Sequence, residues 1–324
     1  MNSVLITGGA GFIGSTLAGK LLAQGWSVTI VDNFNDYYNP EIKRRNIKAF
    51  FASKEFECVE ADITDFAKMD ELFGRKHFDF VVHLAARAGV RPSLEDPIAY
   101  QRTNVEGTAV ILECAKKHGV KNLAMASSSS VYGNNKTYPF KETDCVDFAI
   151  SPYAATKKAN EVLAHVYHAV YGLNIIMLRF FTVYGPRQRP DLAINKFVRS
   201  IEQGQPIKLY GDGTTFRDYT FIDDICQGIQ KALDYLKSHN DVYEIVNLGS
   251  NNPITLIGMV QAIEKALNKK ASIQYLPMQP GDVNGTYADI SKAQRLFGYK
   301  PSISFQDGIQ AFVDWYLKNK EIYK

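Results

Sequence analysis

The chain has 324 residues, 46% of them hydrophobic, with 23 glycines and 12 prolines, enough for one large α/β domain and a smaller one around a sizeable core. Its formal charge of +3 is dispersed and the longest Lys/Arg run is Lys43 to Arg45, which argues against nucleic acid as a partner and suits small anionic ligands. Cys58, Cys114, Cys145 and Cys226 lie far apart with no CxxC or metal-ligand His spacing, so neither a metal nor a disulfide framework is expected, and the lack of a leader or of an apolar run near the roughly 18 residues of a membrane span predicts a reduced, cytoplasmic protein with no membrane partner.

Short apolar runs at 4–7, 28–32, 56–61, 78–85, 122–128 and 174–180 alternate with longer stretches at helical spacing. That pattern predicts a doubly wound, Rossmann-type parallel sheet with helices on both faces. The first run leads into "TGGAGFIG", in which Gly9, Gly11 and Gly14 fit GxGxxG and Gly8, Gly11 and Gly14 fit GxxGxxG. Such glycines permit a positive φ, let backbone N–H groups approach a pyrophosphate, and allow close packing of helix on sheet, with the phosphate at the helix's positive end. The second run ends at Asp32, whose carboxylate can accept from both adenosine ribose hydroxyls and would repel a 2′-phosphate, so NAD is preferred over NADP.

The fifth run ends in four serines, Ser127 to Ser130, at the edge of the sheet where ligands bind in open parallel sheets. Downstream, "SPYAATKKANEVLAHVYHAVYG" (151–172) reads as a helix whose Tyr153 and Lys157, four apart, share one face. A nearby ammonium and a cationic nicotinamide favour the phenolate, so Tyr153 can serve as base, with a strand-end serine in the proton relay.

At these residues the chain resembles the extended short-chain dehydrogenase/reductase family over essentially its whole length. "TGGAGFIG", Asp62–Ile63, "HLAA" (83–86), "NVEGT" (104–108), "SSSSVYG", "YAATK" and "RDYTFIDD" all fall where that family is recognised. The resemblance implies Ser128 as the catalytic serine beside Tyr153 and Lys157. It implies an NAD site made of Gly8, Gly11, Phe12, Ile13, Gly14, Asp32, Asn33, Asp62, Ile63, Leu84, Ala85, Ala86 and Asn104, together with Tyr153 and Lys157. Asp62 would meet the adenine amino group, and Asn104 would support the active-site backbone.

Members similar to this chain oxidise C4 of a nucleotide-diphosphate sugar and then diverge. Sugar 4,6-dehydratases carry an Asp-Glu pair where this chain has Ser129 and Ser130, and the related decarboxylases carry Glu at the second position. Without those carboxylates, 4-epimerisation is what the resemblance leaves. In "RFFTVYGPRQRPDLA" (179–193), Thr182 stands where galactose-type epimerases have Asn. With "DNFNDYYNPEIKRRNI" (32–47) and "AARAGVRPSLEDP" (85–97), that stretch most resembles epimerases acting on UDP-glucuronate. A UDP-glucose or UDP-N-acetylglucosamine epimerase is the alternative, and a non-catalytic NAD-binding sensor a remote one.

The uronate carboxylate suits an arginine fork. Arg189 is the first candidate, with Thr182, Ser127, Ser128 and Ser129 as neutral donors and Arg91 near the sugar or diphosphate. Arg179 reads as structural, while Arg87 and Arg187 receive no role. The resemblance further implies Arg217 on the diphosphate, Leu209 and Tyr210 flanking the uracil, and Asp282 on the uridine ribose. It divides the chain into an NAD-binding domain, 1–178 with a return near 218–249, and a smaller discontinuous UDP-sugar-binding domain, mainly 179–217 and 250–324. Val162, Val166 and Val170 fall at helical spacing, which by itself suits an intramolecular core; the resemblance, in which the helices equivalent to those near 95–118 and 151–171 form a four-helix dimer interface, implies a homodimer.

Overall fold

A computed structural model describes residues 1–277 and 283–323. Seven strands form one parallel sheet: β1 (Ser3–Thr7), β2 (Ser27–Asp32), β3 (Phe56–Glu60), β4 (Phe80–His83), β5 (Asn122–Ser128), β6 (Asn174–Phe180) and β10 (Tyr243–Leu248), in the order β10-β6-β5-β4-β1-β2-β3. All six apolar runs read from the sequence lie in it, and the seventh strand returns from the second half of the chain. Alternate residues of one strand enter two separate cores. Val4 and Ile6 pack on one face, Leu5 on the other, and Ala124 and Ala126 oppose Leu123 and Met125 in the same way. This is the period-two pattern of a sheet covered on both faces, and it explains why its strands are almost wholly apolar.

The remaining strands lie outside this sheet. β7 (Thr182–Tyr184), β9 (Phe216–Phe221) and β11 (Pro253–Thr255) form a second sheet, ordered β11-β9-β7, and β8 (Ile207–Tyr210) pairs in parallel with β12 (Ile273–Leu276). Asp218 ties this region together. Buried in β9, its carboxylate accepts from the amides of Ser250, Asn251 and Ala288 and from the Ser250 hydroxyl.

The helix Pro152–Tyr171 has a clear local cause. Ser151 accepts from the Ala154 amide at 3.1 Å, proline occupies the first turn, and Gly172 ends the helix in the left-handed region at φ +68°. Its Lys157 side is buried between strands and helix, while Val162, Val166 and Val170 are exposed. Among the described residues no helix is long and apolar enough to cross a membrane.

Candidate active site

The strand ends of β1, β2 and β4 form a cradle. Gly8 takes φ +66°, and a Cβ there would sit 2.8 Å from the Ala85 nitrogen; at Gly14 one would sit 2.4 Å from the Gly8 carbonyl oxygen. Only glycine permits that closeness. The helix Phe12–Ala23 that follows has Gly11 as its N-cap and no side chain capping it, so its first amides are available to an anion. Asp32 ends β2 and is nearly buried. It accepts from the amides of Ala10 (3.2 Å) and Phe34 (3.0 Å) and from Lys43 Nζ (3.1 Å).

Beside it, Asn33 donates to Asp62 at 2.7 Å. Partial burial works against charge on Asp62, but hydrogen bonds from Thr64 and Asn33 hold its carboxyl below the usual carboxylate range. Ile63 is buried against Gly107, where an added Cβ would come within 2.5 Å of it. Leu84 and Ala85 donate their amides to the Thr7 carbonyl and hydroxyl. An uncapped helix start, a glycine cradle closed to any Cβ and a fixed carboxylate one strand away fit a dinucleotide's pyrophosphate and ribose.

Three consecutive residues of β5 meet three successive turns of the helix Pro152–Tyr171. The carbonyl of Ala126 accepts from Lys157 Nζ at 2.7 Å, the Ser127 hydroxyl donates to Glu161 at 2.6 Å, and Ser128, whose hydroxyl donates to that of Ser130 at 3.1 Å, lies beside the Tyr153 phenol and favours its charged form. Tyr153, Lys157 and Glu161 follow at intervals of four, which places them on one face. Burial pushes the Tyr153 phenol up, while Ser128 and the charge of Arg189 pull it back. Burial lowers Lys157 from its ordinary 10.5 to about 8, against the raising effect of Glu161. Burial likewise drops His83 to about 3, so its ring is neutral between the hydroxyls of Thr7 (2.7 Å) and Thr108 (3.1 Å). Asn104 binds both the amide and the carbonyl of Arg87 and reaches Thr156. It sits in a π-helical turn, Gln101–Glu106, a distortion frequent at functional sites.

Ser127 does not share the pocket expected for it. Neighbouring residues of a strand face opposite ways, and its buried hydroxyl is committed to Glu161 below the site. Glu161 also takes Arg179 in a two-point bond at 2.8 and 2.9 Å, and Arg179 continues to the Tyr132 hydroxyl and from there to Asn247. Arg179 is thereby fixed as part of the framework.

Arg189 lies near Tyr153, but its fork is engaged. Nε and Nη2 pair with Asp191 at 3.0 and 2.6 Å, Nη2 also donates to the Ala88 carbonyl at 3.1 Å, and the guanidinium stands 5.1 Å over the Tyr37 ring. The expected two-point grip on a substrate carboxylate is thus already taken by Asp191, and only Nη1 has no partner among the described residues.

Next to Asp191 opens a cavity of about 720 Å³, lined by Arg91, Lys196, Arg199, Lys208, Tyr210 and Arg217 among others. Arg91 stacks 5.0 Å over Tyr210, and Arg217 donates to the Phe216 carbonyl. So many cations around one space suit a diphosphate. Leu209 departs from expectation: its side chain is fully buried in the core, and Tyr210 alone of the pair faces the cavity. Thr182 opens β7 and Ser129 follows β5, both partly exposed. Asp282 lies outside the described residues. Lys43, Tyr37, Glu161, Lys196, Arg199 and Lys208 carry no assignment from sequence; for Lys43 the available signal was the basic run itself. No group of three or more metal-ligating side chains occurs among the described residues.

Comparison with known proteins agrees over the whole length. The family model described as GDP-mannose 4,6 dehydratase matches residues 5–312. A UDP-glucuronate 4-epimerase of Thermodesulfobacterium geofontis is 44% identical, covering 100% of this chain and 99% of the relative. The crystal structure of UDP-glucuronic acid 4-epimerase from Bacillus cereus, in complex with UDP-glucuronic acid and NAD, superposes with a TM-score of 0.91 at 36% identity, over 98% of this chain and 99% of that one. UDP-glucose 4-epimerase of Thermotoga maritima, with UDP-glucose, superposes with a TM-score of 0.89 at 30% identity, over 98% and 99%.

Proposed function

The chain belongs to the GDP-mannose 4,6 dehydratase family, a group of extended short-chain dehydrogenase/reductase proteins, and from that premise we propose that it is an NAD-dependent 4-epimerase interconverting UDP-glucuronate and UDP-galacturonate. The observation that carries the reading is the meeting of Ser128, Tyr153 and Lys157 at the end of β5, beside the glycine cradle. Relatives named as UDP-glucuronate 4-epimerases and their NAD complexes support the same reaction and cofactor.

Bound NAD supplies a hydride acceptor and then a donor at the sugar's C4. The chain's own residues do the rest. Tyr153 takes the proton of the C4 hydroxyl and later returns it, Ser128 hydrogen-bonds the same oxygen, and Lys157 orients the cofactor ribose while its ammonium favours the phenolate. With Ser129 and Ser130 where dehydratases have an acidic pair, no carboxylate is supplied at those positions to eliminate water, and the keto sugar is reduced instead. Gly8, Gly11, Gly14 and the first amides of the helix hold the pyrophosphate, Asp32 the adenosine ribose, and Asp62 the adenine.

Arg217, Arg91 and Tyr210 take the nucleotide diphosphate. Arg189 Nη1, with Thr182 and Ser129, meets the uronate carboxylate. Oxidation at C4 makes that sugar a β-keto acid, so a held carboxylate also resists loss of CO₂. The four free cysteines suit the cytoplasm. The stripe Val162, Val166 and Val170, 55%, 44% and 64% exposed, with Ile98 at 72%, supports a homodimer through these helices.

The test is incubation of purified protein with UDP-glucuronate, UDP-glucose and UDP-N-acetylglucosamine, with the epimers resolved by NMR. Turnover of UDP-glucuronate is expected, and its absence refutes the reading. At saturating NAD, Arg189→Ala should impair the uronate more than the neutral sugars. Light scattering should return a dimer mass; a monomer at micromolar concentration rejects the interface.

A further inference from the structure

Several contacts outside the catalytic group tie together the loops that rim the dinucleotide cradle. In the sheet, β1 lies between β4 and β2. A bond from the loop after β2 to the loop after β4 therefore crosses the glycine turn that ends β1. Tyr37 makes that bond: its hydroxyl donates to the Ala88 carbonyl at 2.9 Å and lies 3.3 Å from the Tyr100 hydroxyl. The backbone is shaped for it. Gly89 takes φ +136°, and a Cβ there would come 3.1 Å from the Tyr37 oxygen.

A third segment locks the same point. Arg189 donates to the same Ala88 carbonyl and stacks over the Tyr37 ring. Two residues earlier, Arg187 donates to the Ser15 carbonyl at 3.3 Å, on the helix that leaves the glycine turn. Arg187 adopts φ +70°, an uncommon conformation for a residue with a side chain. Three loops and the helix that follows the glycine turn are thus tied together.

We propose that Tyr37 is a cofactor-retaining residue: with Arg189 and the Ala88 carbonyl it forms a strap across the pyrophosphate section of the NAD groove, and NAD leaves only when that strap opens. The inference rests on the NAD-dependent reading above and adds a requirement of its chemistry. A 4-epimerisation has no net redox change, so the nucleotide reduced in the first half must remain to reduce the same sugar in the second. A bridge across the groove supplies that retention, and because Tyr37 and Arg189 also act electrostatically on Tyr153, it is read from the release of NAD and not from turnover alone.

The experiment loads the holoenzyme with radiolabelled NAD, chases with unlabelled NAD in the absence of any sugar, and follows label release by rapid filtration. Tyr37→Phe keeps the ring over which Arg189 stacks and removes only the hydroxyl. It should release NAD about tenfold faster, the effect of losing one or two partly buried hydrogen bonds. Tyr37→Ala should be faster again, and saturating NAD should restore turnover to Tyr37→Phe. If Tyr37→Ala does not fold, the phenylalanine variant decides alone. A wild-type release rate in Tyr37→Phe overturns the strap. A wild-type protein that holds no NAD overturns the cofactor reading instead, whereas failure to turn over UDP-glucuronate touches only the substrate assignment.

Discussion

Lys157 offers a test in which activity and stability move in opposite directions. Its ammonium is almost wholly buried and its hydrogen-bond acceptor is a neutral carbonyl, that of Ala126 at 2.7 Å. Burial lowers it from 10.5 to about 8, a drop equivalent to about 3 kcal/mol. Since the folded-state value is the depressed one, the group's contribution to stability is fully present above about pH 10.5 and is lost as pH falls through about 8. At neutral pH the NAD-free protein therefore folds against the burial of a charge. Lys157→Met removes that charge and forfeits one hydrogen bond worth about 1 kcal/mol, so it should be catalytically inert and yet about 2 kcal/mol more stable near pH 7. Urea denaturation of the NAD-stripped wild type and variant checks this. Between about pH 7 and about pH 9.5 the wild type should gain about 2 kcal/mol relative to the variant. A difference that stays constant with pH would refute the desolvation of Lys157.

Three further outcomes follow from the geometry. Glu161→Gln leaves the guanidinium of Arg179 buried without its carboxylate and should cost about 3–5 kcal/mol in urea denaturation, with Glu161→Gln/Arg179→Met recovering part of it; a single-variant loss below about 1 kcal/mol would mean the pair is not desolvated. Lys43→Met frees one side of Asp32 and should weaken NAD binding to stripped enzyme by about tenfold in calorimetry, whereas an unchanged affinity would show that the Ala10 and Phe34 amides suffice. Leu209→Ala should destabilise the fold by about 2–4 kcal/mol with little change in the KM of the UDP-sugar, because its side chain belongs to the core; the opposite pattern would return it to the nucleotide site.

How far the sequence reaches depends on whether a feature is local. A parallel sheet buries both faces, so its strands appear as apolar runs in any window, and the glycine turn and the Tyr153/Lys157 spacing are short-range patterns of the same kind. Lys43 and Tyr37 sit in a stretch already singled out, yet what they do is set by Asp32, 11 residues from Lys43, and by Ala88, 51 residues from Tyr37. No periodicity encodes a meeting between loops that follow different strands. Arg189 shows the same limit from the other side. Its charge and proximity to the sugar are legible, but its engagement by Asp191 two residues on depends on a turn conformation that composition does not fix.

Ser127 and Leu209 are different, because a local rule already bears on them. The sequence expectation puts each in a pocket with its strand neighbour, Ser128 or Tyr210, although adjacent residues in a strand point to opposite faces. In β5 the Ser127 hydroxyl is taken by Glu161, while Ser128, at the end of the strand where the chain turns, lies beside Tyr153; in β8 alternation sets buried Ile207 and Leu209 against exposed Lys208 and partly exposed Tyr210. Wherever a strand lines a site in this fold, at most every second side chain of it can face the ligand. Ser127, Arg179 and Asn247 stand side by side across β5, β6 and β10, so the face that carries Glu161's partners is continuous from the strand-end serine to the Tyr132 and Asn247 bond.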